Sequence, residues 1–246
     1  MLKIKQKFPL LVIVAFIFFT IIGTITHEFG HISVANFFGY ETTLHYGSME
    51  YIPKGYNQDE DVILFDAFND KYKNIKYEDL DESIKKEADL LLDRINNKFN
   101  VSAKHSFLIT LGGPVQTVLT SVFGLLILYY RKSKKRPNFN IWDWLGVFMS
   151  LFILREVFNT LSSLFKRFFY NTIDFYGDEF RISRYLDLNQ WIIPIITCLI
   201  GLAISSHIIF KVIPKQYRFS FIIGGLIGGI SGFAIWFGFL GKLILP

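Results

Sequence analysis

The chain has 246 residues, 51% of them hydrophobic and 17% aromatic, with 27 Phe and only 19% charged residues. Its mean hydropathy is +0.35, and its charged fraction is below the roughly 25% of an ordinary soluble domain. These values exclude a disordered chain and a nucleic-acid-binding domain, and they point to an all-α integral membrane protein. The formal net charge of +5 fits basic cytoplasmic loops better than a nucleic-acid footprint. A single cysteine, Cys198, rules out an intrachain disulfide and a cysteine metal cluster.

A spanning helix needs about 20 mainly apolar residues. Residues 8–26 carry no charge, and that helix can continue through residue 40. With its basic start it resembles a signal peptide, but no small-x-small cleavage site follows, so an uncleaved anchor is expected. Residues 41–105 form an extracytoplasmic insertion, and 57–104 hold 12 of the 21 acidic residues. Within it, 57–78 read as irregular. Residues 79–99 read as an amphipathic helix, with Asp79 as cap and Leu80, Ile84, Leu91, Ile95 and Phe99 on one face. That face is expected to cover the membrane domain or lie at its surface.

Residues 106–246 supply the remaining membrane domain, with spans near 106–130, 144–165, 191–210 and 219–241. About five spans result. Lys3, Lys5 and Lys7, the RKSKKR loop at 131–136, and Lys211, Lys215 and Arg218 then share one side. The positive-inside rule makes that side cytoplasmic, with the N-terminus there and the cell membrane as the expected location. Arg155 and Glu156 interrupt the third span. Adjacent residues do not face each other on a helix, so each requires its own polar partner. In the last span Gly224, Gly225, Gly228, Gly229 and Gly232 give small-xxx-small spacings. These suit close packing within the chain, with a homo-oligomer contact as the second use.

The chemistry concentrates at His27-Glu28-Phe29-Gly30-His31. In this HExxH spacing, two histidines one turn apart on a helix can hold one zinc ion. Glu28 between them is placed as general base on a water at the metal. Ionisable side chains at the end of an uncharged span are costly and mark function by default. A catalytic zinc needs a third protein ligand. His45, His105, Asp174, Asp178 and Glu179 lie on the expected outer side, the two histidines equally readable as ordinary surface residues, while His207 falls on the other side.

Three segments carry a family resemblance. THEFGHISVANFFGY (26–40) resembles the first core helix of the site-2 proteases, the zinc intramembrane metalloproteases. LGGPVQTVLTSVFGLLIL (111–128) is similar to their Gly-Pro-x-x-Asn helix. Gly177-Asp178-Glu179-Phe180-Arg181-Ile182 is similar, in degraded form, to their Leu-Asp-Gly-Gly-Arg-Ile segment. The resemblance implies zinc held by His27, His31 and Asp178, with Glu28 as catalytic base. It implies hydrolysis of peptide bonds in a membrane protein or peptide substrate within the lipid bilayer. Gly113, Pro114, Gln116 and Thr117 take the place of the family's substrate-positioning segment. This chain departs from the pattern at Thr117, where the family has Asn, and at Glu179, where it has Gly. A zinc-binding scaffold without activity and a transporter are the competing readings. The first would tolerate loss of Glu28, and the second predicts flux that survives loss of zinc.

Overall fold

The computed structural model describes residues 7–245, so Lys3 and Lys5 of the basic N-terminus lie outside the described residues. The chain is predominantly helical. Its elements run α1 (Lys7–Phe37), β1 (Glu41–Leu44), β2 (Met49–Ile52), α2 (Glu60–Tyr72), α3 (Glu82–Lys98) and α4 (Ala103–Tyr130). Then follow α5 (Ile141–Ser150), α6 (Leu154–Tyr170), α7 (Asp178–Tyr185), α8 (Ile192–His207) and α9 (Lys215–Ile235). Wider π-type turns extend α8 to Val212, and a π turn plus a short helix extends α9 to Ile244.

Four helices are long and apolar enough to cross a membrane: Lys7–Phe37, Ala103–Tyr130, Ile192–Val212 and Lys215–Ile244. The stretch expected as a span at 144–165 is instead two helices, α5 and α6, joined by a 3-10 turn at Leu151–Ile153. Each is shorter than a bilayer crossing alone, and α6 carries Arg155 and Glu156 in its first turn.

Inter-helix contacts give the relative directions. Glycines set the closest approach of α1 and α9. Gly224 meets Pro9 and Val12, Gly228 meets Ile13 and Phe16, and Gly232 meets Ile17 and Thr20. The numbers rise together, so these two helices are parallel. Three of the small residues in α9 are thus occupied by packing within the chain, where backbones can approach because no Cβ intervenes. The α1–α4 pair is antiparallel, since His31 meets Ile109 and His27 meets Thr117. So are α4 and α5, where the Ser121 hydroxyl donates to the Ser150 carbonyl at 2.7 Å and Arg131 reaches Asp143 at 3.1 Å. So are α6 and α8, where Thr160 donates to the Pro194 carbonyl and Gly201 meets Ile153 and Val157.

The main apolar core lies toward the starts of α1 and α9. Val12, Val147, Phe148, Ile208, Ile213 and Phe221 are buried there. Trp144 joins it by stacking on Phe221 at 5.8 Å. Large apolar residues on the outer faces of the long helices remain exposed, Leu199 at 61% and Ile230 at 69% among them. Contiguous exposed apolar surface of this kind marks a face that meets lipid or another apolar partner.

The insertion adds one element to the sequence expectation and differs from it at two others. Residues 41–52 form an antiparallel hairpin pairing Glu41 with Ile52 and Leu44 with Met49. The region 57–78, read as irregular, contains α2. Finally, α3 starts at Glu82 rather than Asp79, whose own segment is a 3-10 turn. The apolar face of α3 does bury Leu91 and Ile95, with Ala88 one turn before Leu91. The packing partner is α2, which contributes the buried Val62. The sequence missed α2 because its apolar residues are interrupted by acids and form no single buried stripe, Val62 alone being buried.

Charged groups tie α2 to α3. Asp59 caps α2 through the Asp61 N–H, and the Lys98 ammonium donates to Asp59 at 2.9 Å and to Asp61 at 2.8 Å. The Lys98 hydrogen bond holds the Asp59 carboxyl below the usual carboxylate range, and the two carboxylates raise Lys98. A depressed carboxylate stabilises the fold above its unfolded value of about 3.9 and loses that effect as pH falls through the lower folded value. A raised lysine stabilises below its unfolded value of about 10.4 and loses the effect as pH rises through the higher folded value. Hydrogen-exchange protection in 60–98, taken relative to the intrinsic exchange rate at each pH, is therefore expected to be highest between those limits and to fall toward pH 3. A flat profile from neutral pH down to 3 would contradict the role of this cluster.

Candidate functional site

The last turns of α1 and the first half of α4 build the site. Where they cross, Gly30 faces Gly112. A Cβ on Gly30 would lie 2.5 Å from the Gly112 carbonyl oxygen, and a Cβ on Gly112 would lie 2.5 Å from the Gly30 carbonyl oxygen. The two backbones can touch only because both residues lack side chains. Pro114 sits inside α4, where its missing N–H leaves the ladder one bond short.

This crossing brings His27 and His31 against α4. His27 is completely buried, with Glu28 at 5% exposure and His31 at 6%. The His31 Nδ1 contacts the Ile109 carbonyl at 2.7 Å. A carbonyl can only accept, so Nδ1 carries the proton and Nε2 is left with its lone pair. The Gly113 N–H also lies 3.2 Å from Nδ1, but it is a second donor there and cannot replace that bond. His27 Nδ1 meets the Thr117 hydroxyl at 2.9 Å. Both rings are thus held from behind, and both Nε2 atoms point the same way, 3.2 Å apart.

Asp178, the first residue of α7, closes the group. Its Oδ2 lies 2.9 Å from His27 Nε2 and 3.3 Å from His31 Nε2. Gly113 lies directly over this triangle, and a Cβ there would collide with the Nε2 atoms of both histidines. His27, Glu28 and His31 form a buried group able to hold a metal ion, with ligand atoms within 4.8 Å of one another.

The other third-ligand candidates stand elsewhere. Glu179 is buried, one of its oxygens without a hydrogen-bond partner, and it packs against Glu156 of α6. Asp174 is exposed on the rim of the adjoining cavity. His45 lies 3.8 Å from Glu50 in the hairpin. His105 supports the hairpin base, stacking on Phe38 and bonding the Tyr40 hydroxyl at 2.9 Å.

Of the four residues expected to position a substrate, Gly113 faces the imidazoles and Pro114 is buried in α4. Thr117 sits behind His27, and the Gln116 amide bonds Thr120 of its own helix at 2.9 Å. The cavity beside the site is walled by other residues. It measures about 590 Å³ and is lined by Glu28, His31 and Asp178 at one end, by Met49 and Tyr51 of β2, and by a polar face of α6. A second cavity of about 580 Å³ lies between α2 and α3 and shares no residue with the first.

Sequence reasoning left Arg155 without a partner. The structure puts its guanidinium 3.8 Å from the Glu28 carboxylate. A charged residue in an apolar stretch was the available signal, but the partner is far away in the chain.

The Thr117 contact makes a direct prediction. Thr117→Val keeps the volume and removes the acceptor behind His27. Loss of such an outer partner typically costs about 10–100-fold in metal affinity. Competition against a chelator of known affinity measures it, and an unchanged affinity would show that the ring is oriented by packing alone. Compared with protein-family models, with curated proteins and with solved structures, the chain matches none.

Proposed function

We propose that this protein is an intramembrane zinc metalloprotease, resembling the site-2 proteases, with His27, His31 and Asp178 as metal ligands and Glu28 as general base. The observation that carries the reading is the triangle of His27 Nε2, His31 Nε2 and Asp178 Oδ2, with sides of 2.9, 3.2 and 3.3 Å. Ligands about 2.0–2.1 Å from a tetrahedral zinc stand about 3.3 Å from one another. Two imidazoles and a carboxylate are also a donor set suited to zinc. The Nδ1 bonds to Thr117 and Ile109 supply the outer support that ligating histidines usually have.

Bound there, zinc would polarise a scissile carbonyl and acidify a water. The remaining chemistry belongs to the chain. Glu28 faces the cavity from the same helix turn as the histidines, and its carboxylate is placed to take a proton from the attacking water. As the carbon–oxygen bond forms and the amide carbon–nitrogen bond breaks, Glu28 returns that proton to the departing nitrogen. Arg155 balances the buried Glu28 charge before substrate arrives. Gly113 leaves room over the imidazoles that any side chain would fill.

The membrane setting follows from the four apolar helices. Five crossings are part of the proposal and rest on direction. If the long helices span, α1 and α9 run one way and α4 and α8 run the other. The chain between the end of α4 and the start of α8 must then return across the bilayer once, and α5 with α6 is the segment available. The site falls at the end where α1 finishes and α4 begins, which charge bias assigns to the non-cytoplasmic side. The test is zinc content together with cleavage of membrane-embedded peptides that a chelator abolishes and added zinc restores. Cleavage indifferent to the chelator would overturn the reading.

A further inference from the structure

The cavity wall contributed by α6 is unusual for a helix among apolar neighbours. Arg155, Asn159, Ser162, Ser163 and Lys166 all face it. Their spacing of three and four residues puts them along one side of the helix. Arg155 Nε is buried without a hydrogen-bond partner. Asn159, Ser162 and Ser163 make no side-chain hydrogen bond among the described residues. Thr160, on another side of the helix, does have a partner in the Pro194 carbonyl. Asn159, Ser162 and Ser163 are half-buried and open to the cavity, and the buried Arg155 Nε at the inner end is the group that a ligand's acceptor would complete.

From Arg155 to Lys166 the row extends about 16 Å along the helix axis. That equals about five residues of extended peptide. The inner end lies beside Glu28 and the outer end is the exposed Lys166. Arg155 and Lys166 can only donate, and Asn159 and the serines can donate or accept. A folded helix has no carbonyls to offer such a row, because its backbone oxygens are bonded internally. An unwound segment exposes one carbonyl per residue.

We infer that the polar face of α6 is the binding track for an unwound stretch of about five substrate residues. Their backbone carbonyls accept from Asn159, Ser162 and Ser163, and Arg155 receives the carbonyl next to the reacting bond. The inference deepens the protease reading and rests on it for the identity of the ligand as substrate. It explains how a membrane-embedded helix could be held open at the site: the track replaces the hydrogen bonds lost on unwinding.

Binding without cleavage tests it. The full chain carrying Glu28→Gln, in detergent, is titrated with a fluorescein-labelled twelve-residue Gly-Ser-Ala peptide, which is unwound, and with an Ala-rich peptide of the same length locked into a helix by a side-chain staple. Fluorescence anisotropy gives Kd, and zinc per chain is measured on every sample. The track predicts that the unwound peptide binds and the helical one binds at least tenfold more weakly. The near-isosteric pair Asn159→Leu with Ser162→Ala should weaken the unwound peptide by about tenfold, the size expected for losing two ordinary hydrogen bonds. Zinc content and elution volume should be unchanged. Arg155→Lys alone, which keeps the charge, guards against misfolding of the double variant and should weaken binding less than Arg155→Met. No binding of the unwound peptide, equal binding of the helical one, or variants without effect on Kd would each overturn the track. Absence of zinc in the parent would instead overturn the protease reading, and the Kd series would still decide the track.

Discussion

Glu28→Gln is expected to lower peptide hydrolysis by roughly 10²–10⁴-fold, the usual contribution of a positioned general base, while zinc content and peptide affinity stay near those of the parent. The reason is geometric. Glu28 is outside the triangle formed by His27, His31 and Asp178, yet it lies in the same buried group and lines the cavity. Gln preserves size and the cavity wall but cannot accept and return a proton. It also removes the charge opposite Arg155, whose guanidinium is 3.8 Å away. Loss of a paired buried charge can destabilise, so thermal unfolding is followed alongside. A scaffold that only binds helices would keep its function in this variant. Retained hydrolysis would remove Glu28 from the mechanism, whatever the metal does.

Gly113→Ala is the second large effect. The new methyl would occupy the space between the two Nε2 atoms, where a Cβ collides with both rings. The rings cannot easily retreat, since Thr117 and the Ile109 carbonyl hold them from behind. Overpacking of this kind costs about 1–3 kcal/mol, and relief comes from rotating the imidazoles off their shared direction. We expect a folded protein with less than a tenth of the parent's zinc and no measurable hydrolysis. Gly229→Ala is the matched control, because a Cβ there meets nothing within 4 Å and it should leave both properties unchanged. Full zinc binding in Gly113→Ala would mean that the ligand direction differs from the one described.

Much of this architecture was legible in the sequence because apolar length is a coarse and robust signal. The four long helices fall where uncharged runs stand. The segment at 144–165 was harder, since hydropathy does not report the 3-10 turn at Leu151–Ile153 that splits it. The hairpin at 41–52 and α2 were missed for a related reason: both are short and gain their stability from docking. Tyr46, for instance, accepts at its carbonyl from the Trp236 indole at 2.6 Å, 190 positions away in the chain.

The site divides in the same way. His27, Glu28 and His31 were readable because their spacing is local to one helix. The convergence of Asp178 on both imidazoles was not readable from spacing: topology offered it beside Asp174, Glu179 and His45, and a resemblance to a family singled it out. The same resemblance put Thr117 in the substrate-positioning segment, and the structure shows its hydroxyl behind His27. The α6 wall was invisible as a wall, because its polar residues acquire meaning only when the hairpin and α7 close the other side of the cavity. Glu156 beside Glu179 belongs to this class too: two buried carboxyl groups on different helices that no sequence pattern links.

Zinc per chain, determined by elemental analysis on detergent-purified parent and Asp178→Ala protein, tests the central claim most directly. The account predicts about one zinc in the parent and a clear loss in the variant, with both eluting as folded protein. No zinc in the folded parent, or equal zinc in the two, would contradict the His27, His31 and Asp178 centre.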